Sequence, residues 1–513
     1  MLTRKEALFT HYSSGGESSP RPWLRAALGL GFGLLTACSG DSGDAGESST
    51  PAARATAVTS SSLVEDAIAT LGMEDLKTIT FDGTAWRIRN SFRQTLTASP
   101  PWPERDEISN YQRTIDLNAP ASRATGDTFA SNLFLEPPVA GTYTQNVAAG
   151  QTNWNQQLEI WLTPWGFLRA AEQYGAEEQV DTLDGMPVTA VTWKSPATQT
   201  SPGGERYTVR GYIDEDNLVR QVETWVEDPF MGDLHVVGVY DDYQAFDGVL
   251  VPTIIEQQRA GGGVFGVTVS SAQANPENAA ELLTIPASGP GGPGGESATP
   301  PAAPIDLTQQ ISEGVHLITG GYVALAVEFA DYVAVFESGQ STARGEQILA
   351  AVTALYPEKE IRYLINSHPH SDHTAGMVPF VRAGATIITH ENNVDFLDMA
   401  LSTPRTLLGE TTLNPAFMAA ESVTVLEDDT RRLELHHIPN LHTDGMLVAY
   451  LPNEGILFQA DFTLPQPGAE ANPFVIDLAN YVDQNGLAFE QYLAVHAAQE
   501  PQTMADLLAT IDK

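Results

Sequence analysis

Hydrophobic and polar positions follow two different rhythms along this chain, and the change comes just past its middle. From residue 63 to 72 apolar side chains recur at helical spacing and end at Gly72, which predicts an opening helix. Short alternating runs then follow, separated by turn residues: 78–81 before Asp82-Gly83, then 158–161, 188–193, 206–209, 219–225, 235–240 and 264–269. Apolar residues at every second position fit strands with one face buried. Residues 61–286 therefore read as a mainly antiparallel β domain opened by a helix. Residues 287–304 have no apolar period and are mostly Gly, Pro and Ala, which suits a linker. Beyond it, in 305–513, strand and helix patterns alternate. Runs at 315–318, 323–327 and 332–336 predict strands, 345–355 an amphipathic helix, and 361–365 a buried strand. A helix from 375, a strand at 386–388 and a helix from 391 come next, then further strands at 423–426, 433–438, 446–451 and 455–458. Two β sets with helices among them predict two sheets flanked by helices.

Composition supports the same division. Seven of the eight tryptophans fall within 63–286 and the eighth is Trp23, so none follows the linker. Asp and Glu number 65 against 26 Lys and Arg, a formal charge of −39. Such a surface repels phosphate backbones and argues against a nucleic-acid partner; its plain meaning is solubility.

The N-terminal segment carries an address. Arg21 and Arg25 precede ten apolar residues, 26–35, and then Thr36-Ala37-Cys38. That is the order of a secretory signal, and the apolar run is too short for a comfortable membrane span. Cys38 is the only cysteine, which excludes an intramolecular disulfide. Leu35-Thr36-Ala37-Cys38 resembles the lipobox of bacterial lipoproteins. The resemblance implies cleavage before Cys38, acylation of its thiol and anchoring of the protein to a membrane. With Ser39 next, the implied location is the cell envelope, periplasmic and on the outer membrane. Residues 1–38 are then signal and lipobox, and the small polar residues 39–60 a flexible tether.

The chemistry concentrates in Ser367-His368-Pro369-His370-Ser371-Asp372-His373-Thr374-Ala375-Gly376. Three imidazoles and a carboxylate lie within six positions, directly after a buried strand pattern. Imidazole nitrogen and carboxylate oxygen are donors that zinc or iron accepts. Histidines at i, i+2 and i+5 share no face of a helix or strand, so the spacing suits a loop after the strand.

His368-Pro369-His370-Ser371-Asp372-His373 resembles the signature of the metallo-β-lactamase superfamily, and later landmarks follow in that family's order. They are Asn440-Leu441-His442-Thr443-Asp444-Gly445, the strand pattern ending in Asp461, and Val495-His496-Ala497. The resemblance covers the second half of the chain and implies an α/β αββα sandwich preceded by the β domain. It implies His368, His370 and His442 on one metal, Asp372, His373 and His496 on a second, and Asp461 bridging them. Two zinc ions sharing a hydroxide would then cleave an ester, thioester, lactone or amide of a small-molecule substrate, with Asp372 as the catalytic residue that orients the nucleophile. An aspartate at position 461 points to the thioesterase, lactonase and glyoxalase II-like branches, although β-lactam hydrolysis stays open. One alternative keeps the same signature with a single iron, as in persulfide dioxygenase-like oxidoreductases. Another places the function in the first domain: 240–252 resembles a pattern of lipoprotein-carrier-like sheets that hold acyl chains. The aromatics of that domain nevertheless read as core.

Among the remaining polar residues, His390 and Glu337 read as supports for ligands, and His235, His316, His436 and His437 as strand residues. Tyr481 and Tyr492 are candidate donors to substrate, and 401–417 a segment that covers the site.

Overall fold

In the computed structural model, residues 62–88, 105–286, 307–496 and 502–511 are described, apart from 133–134, 441 and 467–468. The signal with Cys38, the 39–60 tether, the 287–304 linker and Ala497 lie outside the described residues. From residue 62 onward the described residues belong to one compact unit.

Alternation in the first part produces an eleven-stranded sheet in which every neighbouring pair is antiparallel. The first strand, Thr78–Ile88, pairs on one side with Arg105–Asp116 and on the other with the last strand, Gly262–Ala274. The opening helix spans Ser62–Thr70, and Gly72 at φ +70° ends it where a side chain would strike the Gly248 carbonyl.

One stretch departs from expectation. Residues 158–161 are not a strand but the second half of helix Trp154–Trp161, and a second helix, Pro164–Tyr174, follows. Four residues of apolar–polar alternation cannot separate the two periods. What decides is the longer spacing of Trp154, Leu158 and Trp161, which share the buried side, and the caps. Asn153 Oδ1 accepts from Gln156 N (3.3 Å), and Thr163 Oγ1 accepts from Gly166 N (3.1 Å) ahead of Pro164. Both helices pack on the sheet through tryptophan. Trp161 meets Trp193 edge-on at 6.2 Å, and Trp165 lies 6.0 Å from Phe81. One gap between these helices and the strands, beside Phe81, Tyr111 and Trp165, is about 20 Å³, and the aromatics of this face belong to one buried cluster.

Within that core Arg113 Nη1 meets Glu159 Oε2 at 2.8 Å, both nearly buried, and Glu159 also accepts from Gln257 (3.2 Å). Burial pushes the Tyr111 phenol up to about 12, against the pull of the Arg113 charge.

The second part has a seven-stranded and a five-stranded sheet. In the first, Thr308–Ser312, Val315–Ile318, Ala324–Glu328 and Tyr332–Phe336 are antiparallel, and Glu360–Ile365, Thr386–His390 and Ala416–Ala420 then continue parallel. In the second, four antiparallel strands end with Ile456–Gln459, which pairs in parallel with Gln491–Ala494. Period two sorts the side chains. Val333 and Val335 point to the core beside helices Thr342–Leu355, Met377–Arg382 and Glu391–Ser402, whereas Tyr332, Ala334 and Phe336 share a core with the five-stranded sheet. There Phe336 meets Phe458 edge-on at 5.6 Å. Strands 416–420 and 491–494 and the helix Pro473–Asn485 carry no clear pattern in sequence and appear only here.

The buried pair supplies a test. Arg113→Ala strands a buried carboxylate and is expected to cost roughly 3–5 kcal/mol, whereas Arg113→Met with Glu159→Leu should be close to neutral. Urea unfolding of both variants measures the difference.

Candidate metal centre

Each predicted donor leaves the C-terminal end of a strand. Such ends are where open α/β sheets leave room for chemistry, because the next segment turns away over the sheet edge. Glu360–Ile365 runs into Asn366, which continues the ladder (Asn366 N to Ile388 O, 2.8 Å) while its side chain donates to His368 O (2.8 Å). Thr389 Oγ1 donates to Asn366 Oδ1 (3.2 Å) and fixes that carboxamide. His370 then caps a single helical turn, Ser371–Thr374, so the motif is a loop only as far as His370. Gly376 and Gly345 leave no room for a side chain: the backbones of Ser338 and Gly376 stand against them. Asp461 follows Ile456–Gln459, and His496 follows the parallel neighbour Gln491–Ala494.

The fold brings all seven predicted residues together in two groups. His368, His370, His442 and Asp461 form one; Asp372, His373 and His496 form the other, with donor atoms in each within 4.8 Å of one another. Asp461 stands between them. Its Oδ2 lies 3.0 Å from His368 Nε2 and 2.7 Å from His442 Nε2, and its Oδ1 lies 3.3 Å from His373 Nε2 and also contacts His496 Nε2. Nε2 atoms face each other in pairs, His368 with His442 at 3.3 Å and His373 with His496 at 3.1 Å. Nitrogens held about 2.0–2.1 Å from a tetrahedral ion stand about 3.3 Å apart, so these pairs have the spacing of ligands to a common ion. Asp372 Oδ2 is 3.4 Å from His373 Nε2 and 3.8 Å from that of His496.

Hydrogen bonds behind the donors settle which nitrogen points inward. His373 Nδ1 donates to Glu337 Oε2 (2.8 Å), leaving Nε2 toward the cluster; Ser367 Oγ sits 2.9 Å from His368 Nδ1. Glu337 is fully buried, accepts from Ser367 N (3.2 Å) and holds φ +80°, a left-handed conformation that costs a non-glycine residue on the order of 1–3 kcal/mol. Burial pushes the His368 imidazole down to about 4 and His370 well below its ordinary value. His373 moves the other way. Burial opposes its charge, but the Glu337 and Asp461 carboxylates outweigh that and hold its pKa well above the usual range. Asp461 and Asp372 are likewise kept low, against burial, by the imidazoles around them, His373 foremost among the charges.

Other residues singled out in the sequence fall elsewhere. His390 and His437 stack face to face at 3.7 Å; His390 Nδ1 accepts from Asn392 N (3.3 Å), and His437 Nε2 donates to Asp444 O (2.6 Å). His436 bonds Tyr481 (3.0 Å) and Glu434 (3.0 Å), His316 bonds Tyr356 (2.8 Å), and His235 bonds Glu223 (2.9 Å). Tyr492 donates to Phe462 O, so the hydroxyls of Tyr481 and Tyr492 both have partners away from the cluster. Within the segment expected to cover the site, 401–417, residues 403–407 engage the eleven-stranded part.

Sequence reasoning missed Tyr322. Its ring meets His496 edge-on at 4.4 Å, and burial, with the nearby Asp372 carboxylate adding to it, raises its pKa. Nothing local marks it. It reaches the cluster because Val323 N donates to Val495 O (2.9 Å), a contact between residues far apart in the chain.

Residues 319–494 match the family model described as the metallo-beta-lactamase superfamily. A curated relative, 2,4-dinitroanisole O-demethylase subunit alpha of Nocardioides sp. (strain JS1661), is 27% identical over 170 residues, covering 32% of this chain and 48% of the relative. The match thus spans about half the length of that protein. Among solved structures, a metallo-beta-lactamase from Pontibacter korlensis has 17% identity and a TM-score of 0.32, over 40% of this chain and 98% of that one. One from Hirschia baltica has 18% identity and a TM-score of 0.31, over 40% and 94%. By its match to the family model, the stretch 319–494, which includes all the donors but His496, is a metallo-beta-lactamase superfamily domain.

Proposed function

We propose that the protein is a dinuclear metal-dependent hydrolase of ester, thioester, lactone or amide bonds, with zinc as the metal and an αββα arrangement around the site. The observation that carries the proposal is Asp461, whose two oxygens serve the two separate donor groups. A single-ion site would not call for both. His368, His370 and His442 would hold the first ion, and Asp372, His373 and His496 the second. When bound, the ions supply a water of lowered pKa and a Lewis acid for the carbonyl oxygen.

The chain's own residues do the rest. Asp372 has 38% of its side chain exposed, more than any other donor carboxylate here, and is held ionised. It can therefore orient a water and carry a proton toward the leaving group. Tyr322 packs edge-on against the His496 ring at 4.4 Å on the same side of the site. Phe474 packs 5.3 Å from the His442 ring and forms an apolar wall beside it. Acylation of Cys38 and periplasmic exposure at the outer membrane belong to the same proposal, as does a small-molecule substrate.

Protein purified without added metal should contain two zinc ions per chain and hydrolyse at least one member of a panel of lactones, thioesters and a chromogenic β-lactam. One iron per chain with oxygen uptake would instead establish the oxidoreductase alternative. His370→Ala and Asp461→Asn should each lose metal and at least about a hundredfold in kcat/KM. Protons provide a second test. Burial favours the neutral form of His368 and His370, whereas the Glu337 and Asp461 carboxylates favour the protonated form of His373, and a metal needs the free nitrogen. Loading the second group should therefore release a proton and tighten as pH rises, seen as buffer-dependent heat in calorimetry; the His373→Ala variant should lose that release. Finally, Cys38→Ala should move the protein from the membrane to the soluble fraction.

A further inference from the structure

The eleven-stranded part grips the segment that follows helix Glu391–Ser402 of the metallo-beta-lactamase domain. Asp233 Oδ2 accepts from Thr406 N (3.1 Å) and Thr406 Oγ1 (2.6 Å), and its Oδ1 accepts from Leu407 N (2.9 Å). Backbone bonds add to this: Asp233 N to Pro404 O (2.7 Å) and Gly203 N to Leu407 O (2.7 Å). Arg405, 1% exposed, crosses the seam and donates to Pro229 O (2.7 Å) and Phe230 O (3.2 Å), with Glu410 Oε2 at 2.7 Å balancing its charge. Gly203 and Gly232 lie so close to this segment that a Cβ on either would strike its backbone. Phe230 also packs on Phe396 of the helix, 6.4 Å between rings.

The other end of the same helix holds the loop that carries His442. Asn392 Nδ2 donates to Asp444 Oδ2 (2.8 Å), and the buried Asn393 Nδ2 donates to Gly445 O (2.9 Å). Gly445 has no room for a side chain against the Asn393 carboxamide. A twelve-residue helix is a stiff rod about 18 Å long, so its two ends are not independent.

We propose that the eleven-stranded sheet is a positioning element of the metal centre: Asp233 and Arg405 anchor one end of helix Glu391–Ser402, whose other end sets the loop bearing His442. The inference rests on the metal-site reading for its affinity readout but not for its exchange readout. Neither residue touches the donors; both are positioning residues, and their effect reaches one donor group and not the other.

The experiment uses the full chain with Asp233→Ala, Asp233→Asn and Arg405→Ala, and Val180→Ala as a control on the exposed part of the sheet, where Val180 is 84% exposed. Zinc titration should show the ion of the His368–His370–His442 group weakened roughly three- to thirtyfold in Asp233→Ala, with the ion of the His373 group unchanged. Asp233→Asn, which keeps one carbonyl acceptor, should fall between, and Val180→Ala should match the wild type. Amide exchange should quicken at both 403–410 and 442–447. Faster exchange confined to 403–410, or equal weakening of both ions, overturns the proposal and leaves the seam a purely structural contact. Should the wild type take up no metal, the metal-site reading fails, and exchange at 442–447 still decides the inference.

Discussion

Two carboxylates and five imidazoles converge in a space where most of their water is gone, and each is tolerated only because the others are there. Three of the imidazoles are at most 5% exposed, a burial that would exclude charge from isolated groups. His373 is the pivot. Its Nδ1 proton goes to the buried Glu337, and its Nε2 faces Asp461, Asp372 and His496. Glu337 in turn sits at φ +80°, a strain that only a tightly built surrounding can hold. Buried side chains with opposed pKa shifts a few ångströms apart have a clear physical meaning when metal ions complete the balance.

Strand direction explains how the donors come together. Parallel pairing of Tyr332–Phe336, Glu360–Ile365 and Thr386–His390 puts Glu337, the 367–373 segment and the His390 cap at one end of one sheet. The parallel pair Ile456–Gln459 and Gln491–Ala494 does the same for Asp461 and His496 in the other. The apolar core shared by the sheets fixes their separation, with Phe336 against Phe458 one residue before Glu337 and three before Asp461. Packing far from the donors thereby sets distances between them.

The antiparallel sheet bears on the same centre from further away. Its aromatic face is covered by its own helices, and the gap beside Phe81, Tyr111 and Trp165 is only about 20 Å³. Its backbone and Asp233 instead engage the segment between helix Glu391–Ser402 and strand Ala416–Ala420. A sheet that grips a helix anchored to the His442 loop is placed to influence the geometry of that loop.

Most strands and helices of the second half, the antiparallel character of the first and the 368–373 cluster were legible in the residues themselves, whereas His442, Asp461 and His496 entered only through the resemblance of their motifs. Period two and period 3.6 are local, and imidazoles and carboxylates at short spacing keep their chemistry wherever the chain takes them. Where a pattern ran for only four residues, as at 158–161, the two periods could not be told apart, and capping by Asn153 and Thr163 decided for helix. Tertiary structure alone decided the distances within each group, that Tyr322 reaches His496, and that 403–407 belongs to the seam. Those facts depend on register and packing between residues a hundred or more positions apart, and no local rhythm encodes which distant segment a side chain will meet.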